Sequence, residues 1–344
     1  MNNNHFNKDD GSTFIIAELS ANHNGSIENA IKTIIEAKKA GADAIKLQTY
    51  TADTLTIDCS NEYFQIKNNK LWEGQTLYEL YQSAFTPWEW HEELFRVAKE
   101  EGIICFSSPF DKTAVDFLEE LNNPIYKVAS FEIQDIPLIE YISSKKKPII
   151  FSTGIAELED IELAVKTIKK EHDDFALLKC TSAYPAPLEE INLKTIPDMR
   201  DRFNTTIGLS DHTLGITVPI AAVSLGAKII EKHFIINKSI GGPDASFSIE
   251  PQEFKKMVNS IRDVEKALGE TSYTLTDKIK ESRIFSRSLF VVEDVQKGET
   301  ISENNIRSIR PGYGLHPKYY TEVIGKTFTS DIKRGTPLSF EHIG

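Results

Sequence analysis

Six ionisable side chains close short apolar runs in this chain. His212 ends Ile207-Gly-Leu-Ser-Asp-His and His233 ends Ile229-Ile-Glu-Lys-His, while Glu18, Lys46, Lys127 and Glu231 stand at or near the ends of similar runs. Runs this short are strands, not helices that could stand alone. Side chains on a strand alternate in direction, so Ser210 shares a side with His212, and Glu231 with His233. Two imidazoles on neighbouring strand tips could share a divalent metal ion. Two lysines among many hydroxyls describe a site for an oxyanion such as phosphate. Taken alone, a pair of histidines is more often two strand caps or local hydrogen-bond partners. The elements that carry the pair change those odds.

Val218-Pro-Ile-Ala-Ala-Val-Ser-Leu-Gly-Ala has the length of a helix joining the two histidine strands. Strand, helix, strand is the unit of parallel sheet, and parallel α/β folds place reactive groups at the carboxyl ends of strands. The same alternation runs back to residue 14. Strands are expected at Phe14-Ile-Ile-Ala-Glu-Leu, Ala44-Ile-Lys-Leu-Gln-Thr, Ile103-Ile-Cys-Phe-Ser-Ser-Pro, Ile125-Tyr-Lys-Val-Ala-Ser, Pro148-Ile-Ile-Phe-Ser-Thr-Gly and Phe175-Ala-Leu-Leu-Lys-Cys. Between and after them the spacing predicts helices over 27–40, 87–101, 113–121, 137–143, 156–169, 193–202 and 253–268, with Ser26 as an N-cap and Gly41 as a stop. Eight such units predict an α/β fold of the (β/α)8 barrel type.

All eight strands end in polar residues. Capping explains any one of them and does not readily explain eight. A barrel would gather Glu18, Lys46 with Gln48, Ser108, Lys127 with Ser130, Ser152, Ser182 with Tyr184, Ser210 with His212, and Glu231 with His233 around one pocket. Gln48 is balanced between ligand contact and packing. Glu231 is balanced between orienting a histidine and pairing with a pocket lysine. Lys179 and Lys232 have the opposite strand parity and are expected to pack or face outward. Residues 50–86 form a long insertion, and connections of that length are usually lids or binding loops.

The texture changes after residue 270. Residues 271–284 are polar without a strong period and read as a linker. Residues 285–344 carry short β-type runs and turn signals, including Ser288-Leu-Phe-Val-Val and Arg310-Pro-Gly-Tyr-Gly, and predict a small β-rich second domain. The net charge of −12 disfavours nucleic acid, so an anionic ligand needs a local cationic cluster. Three cysteines without metal spacing, a polar N-terminus and no apolar run of membrane-spanning length lead to the expectation of a cytoplasmic protein that neither binds nor crosses a membrane.

Taken in order, these residues resemble the sialic acid synthase family along nearly the whole chain. The resemblance is carried by Ile16-Ala-Glu-Leu-Ser-Ala-Asn-His-Asn-Gly, Lys46-Leu-Gln-Thr-Tyr, Phe106-Ser-Ser-Pro-Phe, Tyr126-Lys-Val-Ala-Ser, Gly208-Leu-Ser-Asp-His, Glu231-Lys-His-Phe and Gly242-Pro-Asp. Arg310-Pro-Gly-Tyr-Gly is similar to the antifreeze-like SAF domain of that family. Leu71-Trp-Glu-Gly-Gln-Thr-Leu-Tyr-Glu-Leu-Tyr, Pro87-Trp-Glu-Trp-His and Asp244-Ala-Ser-Phe-Ser-Ile-Glu-Pro narrow the resemblance to its pseudaminic acid synthases. The resemblance implies condensation of phosphoenolpyruvate with the open-chain aldehyde of an N-acylated amino sugar, releasing phosphate.

It also implies roles. His212 and His233 would hold a divalent ion, with Mn2+, Mg2+ and Co2+ equally suited. Lys46, Ser108, Lys127, Ser130, Ser152, Tyr184 and Ser210 would hold phosphoenolpyruvate. Ser182 stands where many members carry an asparagine with that task. Glu18 would bind sugar hydroxyls or act as a base, and Asp244 would contact the sugar. Arg310 would reach the sugar's acyl group in the partner subunit of a domain-swapped homodimer. Open alternatives are an N-acetylneuraminate or legionaminate synthase and, outside enzymes, an inactive carbohydrate-binding module.

Overall fold

The computed structural model describes Phe6, Lys8 and residues 10–67 and 73–344. Leu71 and Trp72 of the motif above, and most of the polar N-terminus, lie outside the described residues. The chain divides into two units, Met1–Gly269 and Glu270–Gly344.

The first unit alternates strand and helix. In order it runs β1 (Phe14–Glu18), α1 (Ile27–Lys39), β2 (Ala44–Thr49), α2 (Ala52–Leu55), α3 (Leu77–Ala84), α4 (Trp88–Glu101), β3 (Ile104–Pro109), α5 (Lys112–Glu120), β4 (Tyr126–Val128), α6 (Ile136–Ser143) and β5 (Ile149–Ser152). It continues with α7 (Leu158–Ile168), β6 (Phe175–Cys180), α8 (Thr195–Phe203), β7 (Thr206–Asp211), α9 (Thr217–Ser224), β8 (Ile229–His233) and α10 (Pro251–Leu268). The eight strands pair in sequence order, all parallel, and β8 returns to β1 to close the barrel. This is the (β/α)8 architecture that the sequence predicts.

Alternation along each strand makes two cores. Outward residues such as Ile15, Ala17, Ile45, Leu47, Phe151, Leu177, Leu209 and Ile230 pack under the helices in one large apolar layer. Inward residues Phe14, Ile16, Ala44, Phe106, Ile150, Ala176, Leu178 and Ile229 fill the lower barrel, closed by Phe6. One step further along the strands the inward positions become Glu18, Lys46, Lys127, Ser152, Ser210 and Glu231. The barrel is therefore apolar at its base and ionic at the carboxyl ends of its strands. Gly208 is required there: a β-carbon would lie 2.4 Å from the Ile229 carbonyl and 2.6 Å from Leu178.

The helices are fixed by their ends. Ser26 accepts from the Asn29 amide, Asp111 from the Thr113 and Ala114 amides, and Asp135 from the Leu138 amide. The insertion expected as a lid is partly helical. Thr76 and Glu79 form a capping box at the start of α3.

In the second unit, the stretch read as a linker carries a helix, α11 (Asp277–Ser282). Its Thr276 hydroxyl accepts from the Ile279 amide, a local cap that overrides the lack of apolar period. β9 (Ser288–Val291) and β10 (Ile306–Ile309) pair antiparallel, and α12 (Tyr320–Val323) follows. Leu289, Val291, Val295, Ile301, Ile306, Val323, Phe328, Ile332 and Leu338 form this unit's own core. Arg310 lies just past β10 and is exposed. Among the described residues no helix is long and apolar enough to cross a membrane.

Candidate active site

A cavity of about 480 Å³ opens at the carboxyl ends of the barrel strands. Every barrel residue singled out from the sequence lines it except Ser108, which is fully buried, with its hydroxyl 3.5 Å from Lys46 Nζ.

On β1 and β2, Glu18 Oε1 accepts from Lys46 Nζ at 2.6 Å and from Gln48 Nε2 at 2.9 Å. Gln48 also donates to the Ser20 hydroxyl. It both lines the cavity and holds Glu18. Burial would push the Glu18 carboxyl up, but Lys46, His233 and Lys127 outweigh it and hold it well below the usual carboxylate range. Burial likewise opposes the Lys46 ammonium, and Glu18 and Glu231 outweigh it and raise it.

Across the barrel, Lys127 Nζ donates to Glu231 Oε1 at 2.8 Å and to the Ser152 hydroxyl at 2.7 Å. Glu231 Oε1 also lies 3.8 Å from Lys46 and accepts from Ser210 at 3.1 Å. Of the two roles weighed for Glu231, the structure places it with the lysines and not with a histidine. The chain Glu18, Lys46, Glu231, Lys127 is thus two buried cations balanced by two buried anions. One oxygen, Glu231 Oε2, has no hydrogen-bond partner among the described residues.

Beside Lys127 several hydroxyls converge on the turn after β5. Ser130 accepts from the Gly154 amide at 3.1 Å. A β-carbon at Gly154 would meet the Ser182 hydroxyl at 2.0 Å, Ser130 at 2.8 Å and Cys180 at 2.9 Å. Only glycine lets those three side chains converge, so Ser182 belongs to this hydroxyl cluster.

His212 stands just past the end of β7 and His233 ends β8, with ring centroids 5.4 Å apart. The Thr181 carbonyl, 3.1 Å from His212 Nδ1, accepts its proton and leaves Nε2 for another partner. Burial opposes charge on this imidazole, but Cys180 and Thr181 raise it to about 9, while His212 in turn brings the buried Cys180 thiol down to about 7. Burial lowers His233. Its Nε2 lies 3.4 Å from Glu18 Oε2. Its buried Nδ1 has no hydrogen-bond partner among the described residues, because Asp244 Oδ2 at 3.6 Å is too far. Tyr184 packs on His212 at 4.5 Å, and Phe247 on His233 at 5.0 Å.

This geometry fits a divalent ion. A buried imidazole nitrogen without a partner is a costly feature unless a ligand fills it. A metal would replace the proton on His212, with Thr181 fixing the tautomer as the partner of a metal-bound histidine does. Among the described residues no group of three or more His, Cys, Asp or Glu side chains is placed to hold an ion. The protein would supply two imidazoles, leaving the other positions to water and substrate.

Two features were not singled out from the sequence. Glu132 lines the cavity from a turn beyond β4, with Oε2 buried and without a hydrogen-bond partner among the described residues. Burial pushes its carboxyl up to about 7, and Asp135 adds to the shift. The apolar side of α3 lines the same cavity. Lys232 and Lys179, expected to face elsewhere, do so: Lys232 Nζ donates to Asp211 Oδ2 at 2.5 Å, and Lys179 Nζ to the Cys180 carbonyl. Arg310 belongs to the other unit.

Comparison with known proteins adds the following. The NeuB family model matches residues 33–273, and the SAF domain model matches residues 286–344. A pseudaminic acid synthase of Campylobacter jejuni is 50% identical over 330 residues, 96% of each chain. A pseudaminic acid synthase of Helicobacter pylori is 46% identical over 331 residues, 96% of this chain and 97% of its own. Among solved structures, the spore coat polysaccharide biosynthesis protein spsE of Bacillus subtilis is 37% identical. It aligns with a TM-score of 0.65 over 98% of this chain and 96% of its own.

Proposed function

From the premise that the chain belongs to the NeuB family, with an SAF domain at its C-terminal end, we propose that it is a pseudaminic acid synthase. It condenses phosphoenolpyruvate with 2,4-diacetamido-2,4,6-trideoxy-L-altrose to give pseudaminic acid and phosphate. The observation that carries this reading is one cavity lined by two lysines and several hydroxyls on one side and two imidazoles on the other. The identity of about half its residues to pseudaminic acid synthases supports the choice of sugar.

Lys46 and Lys127 bind the phosphate and carboxylate of phosphoenolpyruvate, with Ser130, Ser152, Ser182, Ser210 and Tyr184 completing the shell and Ser108 positioning Lys46. His212 and His233 would hold Mn2+, Mg2+ or Co2+, which when bound supplies Lewis acidity to a carbonyl oxygen. Asp244 and Gln48 orient the sugar so that its aldehyde carbon faces the methylene carbon of the enol. The enol carbon attacks and forms the new C–C bond as the aldehyde C=O π pair moves to oxygen, which takes up a proton to become the hydroxyl, and positive charge develops at C2. Water adds there, and the C2–O bond to phosphate breaks to leave the ketone. Glu18 accepts the proton of that water. The arriving anion draws Lys46 away from Glu18, which makes the carboxylate a better base at the moment it is needed. Arg310 completes the site of a partner subunit in a homodimer, its guanidinium donating paired hydrogen bonds to an acyl carbonyl.

The test is a product assay by mass spectrometry. Phosphoenolpyruvate and a divalent ion are offered the trideoxy sugar, the legionaminate precursor and N-acetylmannosamine. A nonulosonic acid should form most rapidly from the trideoxy altrose, with bridging 18O of phosphoenolpyruvate recovered in phosphate. Preference for another sugar would correct the substrate, and no product from any sugar would remove the enzyme reading.

A further inference from the structure

We infer that one face of α3 selects the sugar by its apolar end, an inference that rests on the trideoxy sugar proposed above. α3 presents Leu77, Leu80, Tyr81 and Ala84 at helical spacing, and all four line the cavity together with Leu55 and Ile66. None of the six carries a charge. The wall is built and braced. The capping box at Thr76 fixes the start of α3. The Ile66 amide donates to the Gln75 carbonyl and the Leu77 amide to the Phe64 carbonyl, which holds Ile66 against the helix. Tyr50 packs edge-on against both Tyr81 and Phe110 and ties the helix to the strand ends.

Topology gives the wall its ligand. The imidazoles stand at β7 and β8, and Glu18 and Gln48 at β1 and β2, the next strands around the barrel. A sugar whose aldehyde lies at the imidazoles and whose hydroxyls meet Glu18 and Gln48 brings its far end to the segment that follows β2. That segment carries α3. The far end of a 4-acetamido-6-deoxy sugar carries two methyl groups, that of C6 and that of the acyl group beyond its amide. In N-acetylmannosamine those positions carry hydroxyls, which would lose their water against leucine with no partner in return. Leu80 is buried, and together with Pro243 it also lines a second cavity of about 500 Å³ bounded by Gln75, Ser83 and Lys238. The apolar wall is therefore one side chain thick at Leu80, with polar surface behind it.

The test measures phosphate release against sugar concentration, at saturating phosphoenolpyruvate and divalent ion. The parent, Leu77→Gln, Leu80→Asn and Leu80→Met are compared with the trideoxy sugar and with N-acetylmannosamine. Leu77 is half-buried and tolerates the amide, so it covers the case in which Leu80→Asn fails to fold. Each polar variant should lower kcat/KM for the trideoxy sugar by about tenfold, mainly through KM, and leave N-acetylmannosamine unchanged or improved. Leu80→Met should restore the preference, and KM for phosphoenolpyruvate should not move. Equal losses for both sugars, or an unaltered ratio in both polar variants, overturn the inference while the substrate reading stands. A parent that favours N-acetylmannosamine overturns both.

Discussion

Glu231 is the joint of the buried charge chain, and Glu231→Gln tests whether that chain is the anion site. The carboxylate is 2% exposed, 2.8 Å from Lys127 and 3.8 Å from Lys46. The amide keeps an oxygen for Lys127 but removes one of the two negative charges opposing two buried ammoniums. Breaking a buried pair in this way costs about 3–5 kcal/mol, and the retained acceptor favours the lower end, about 3 kcal/mol. For a unit of this size each kcal/mol moves Tm by about 2–4 °C, so the variant should melt about 6–12 °C below the parent. Phosphoenolpyruvate should reverse much of that loss, because its anionic groups replace the missing charge. Ligand at a hundred times Kd stabilises by about 2.7 kcal/mol, and the variant's gain should exceed the parent's because Glu18 alone, and no longer Glu231 as well, competes for the lysines. Differential scanning fluorimetry with and without phosphoenolpyruvate reads both effects. A Tm within about 2 °C of the parent, or a ligand shift smaller than the parent's, would refute the reasoning.

Other outcomes follow from the same site. His233→Ala should abolish phosphate release and calorimetric binding of Mn2+ with Tm little changed, and a thoroughly chelated parent that keeps full activity would remove the metal role. Glu132 is raised from an ordinary 4.5 to about 7, so the folded protein binds more protons than the unfolded chain between those values. The parent should therefore lose stability relative to Glu132→Gln as pH rises from about 4.5 to 7, and parallel Tm profiles across that window would contradict the assignment. Mixing inactive Arg310→Ala with inactive His233→Ala subunits should restore part of the activity. Proven subunit exchange without recovery places Arg310 in its own subunit's site or in none.

Most of the site was legible because strand alternation is a strict period. Once Lys46, Lys127 and Glu231 were assigned to strands, their common inward direction followed, as did the outward direction of Lys232. Ser108 obeyed the same parity, but depth along a strand has no signature in sequence, and it sits behind Lys46 instead of at the cavity wall. Glu132 was missed because it lies on a turn past β4, where aim depends on loop backbone and not on period. A carboxylate two residues beyond Ser130 was the available signal. The face of α3 was present as spacing at 77, 80, 81 and 84, but spacing does not say what an amphipathic face meets. Glu231 was balanced between two roles because the choice depends on which lysine reaches across the barrel, a tertiary distance.

The ion pair of Asp211 and Lys232 has a consequence for how the chain reaches its fold. These residues are direct neighbours across β7 and β8 and lie 2.5 Å apart on the outer side of the strands that carry the histidines inward. A slip of one residue between β7 and β8 would set Glu231 or His233 across from Asp211 and leave the buried Asp211 and Lys232 charges apart. It would also turn the histidine-bearing side of the slipped strand away from the barrel. A slip of two would restore the facing but still leave Asp211 and Lys232 unmatched. The pair thus acts as a registration peg between β7 and β8, penalising misaligned barrels whether or not a ligand or metal is present.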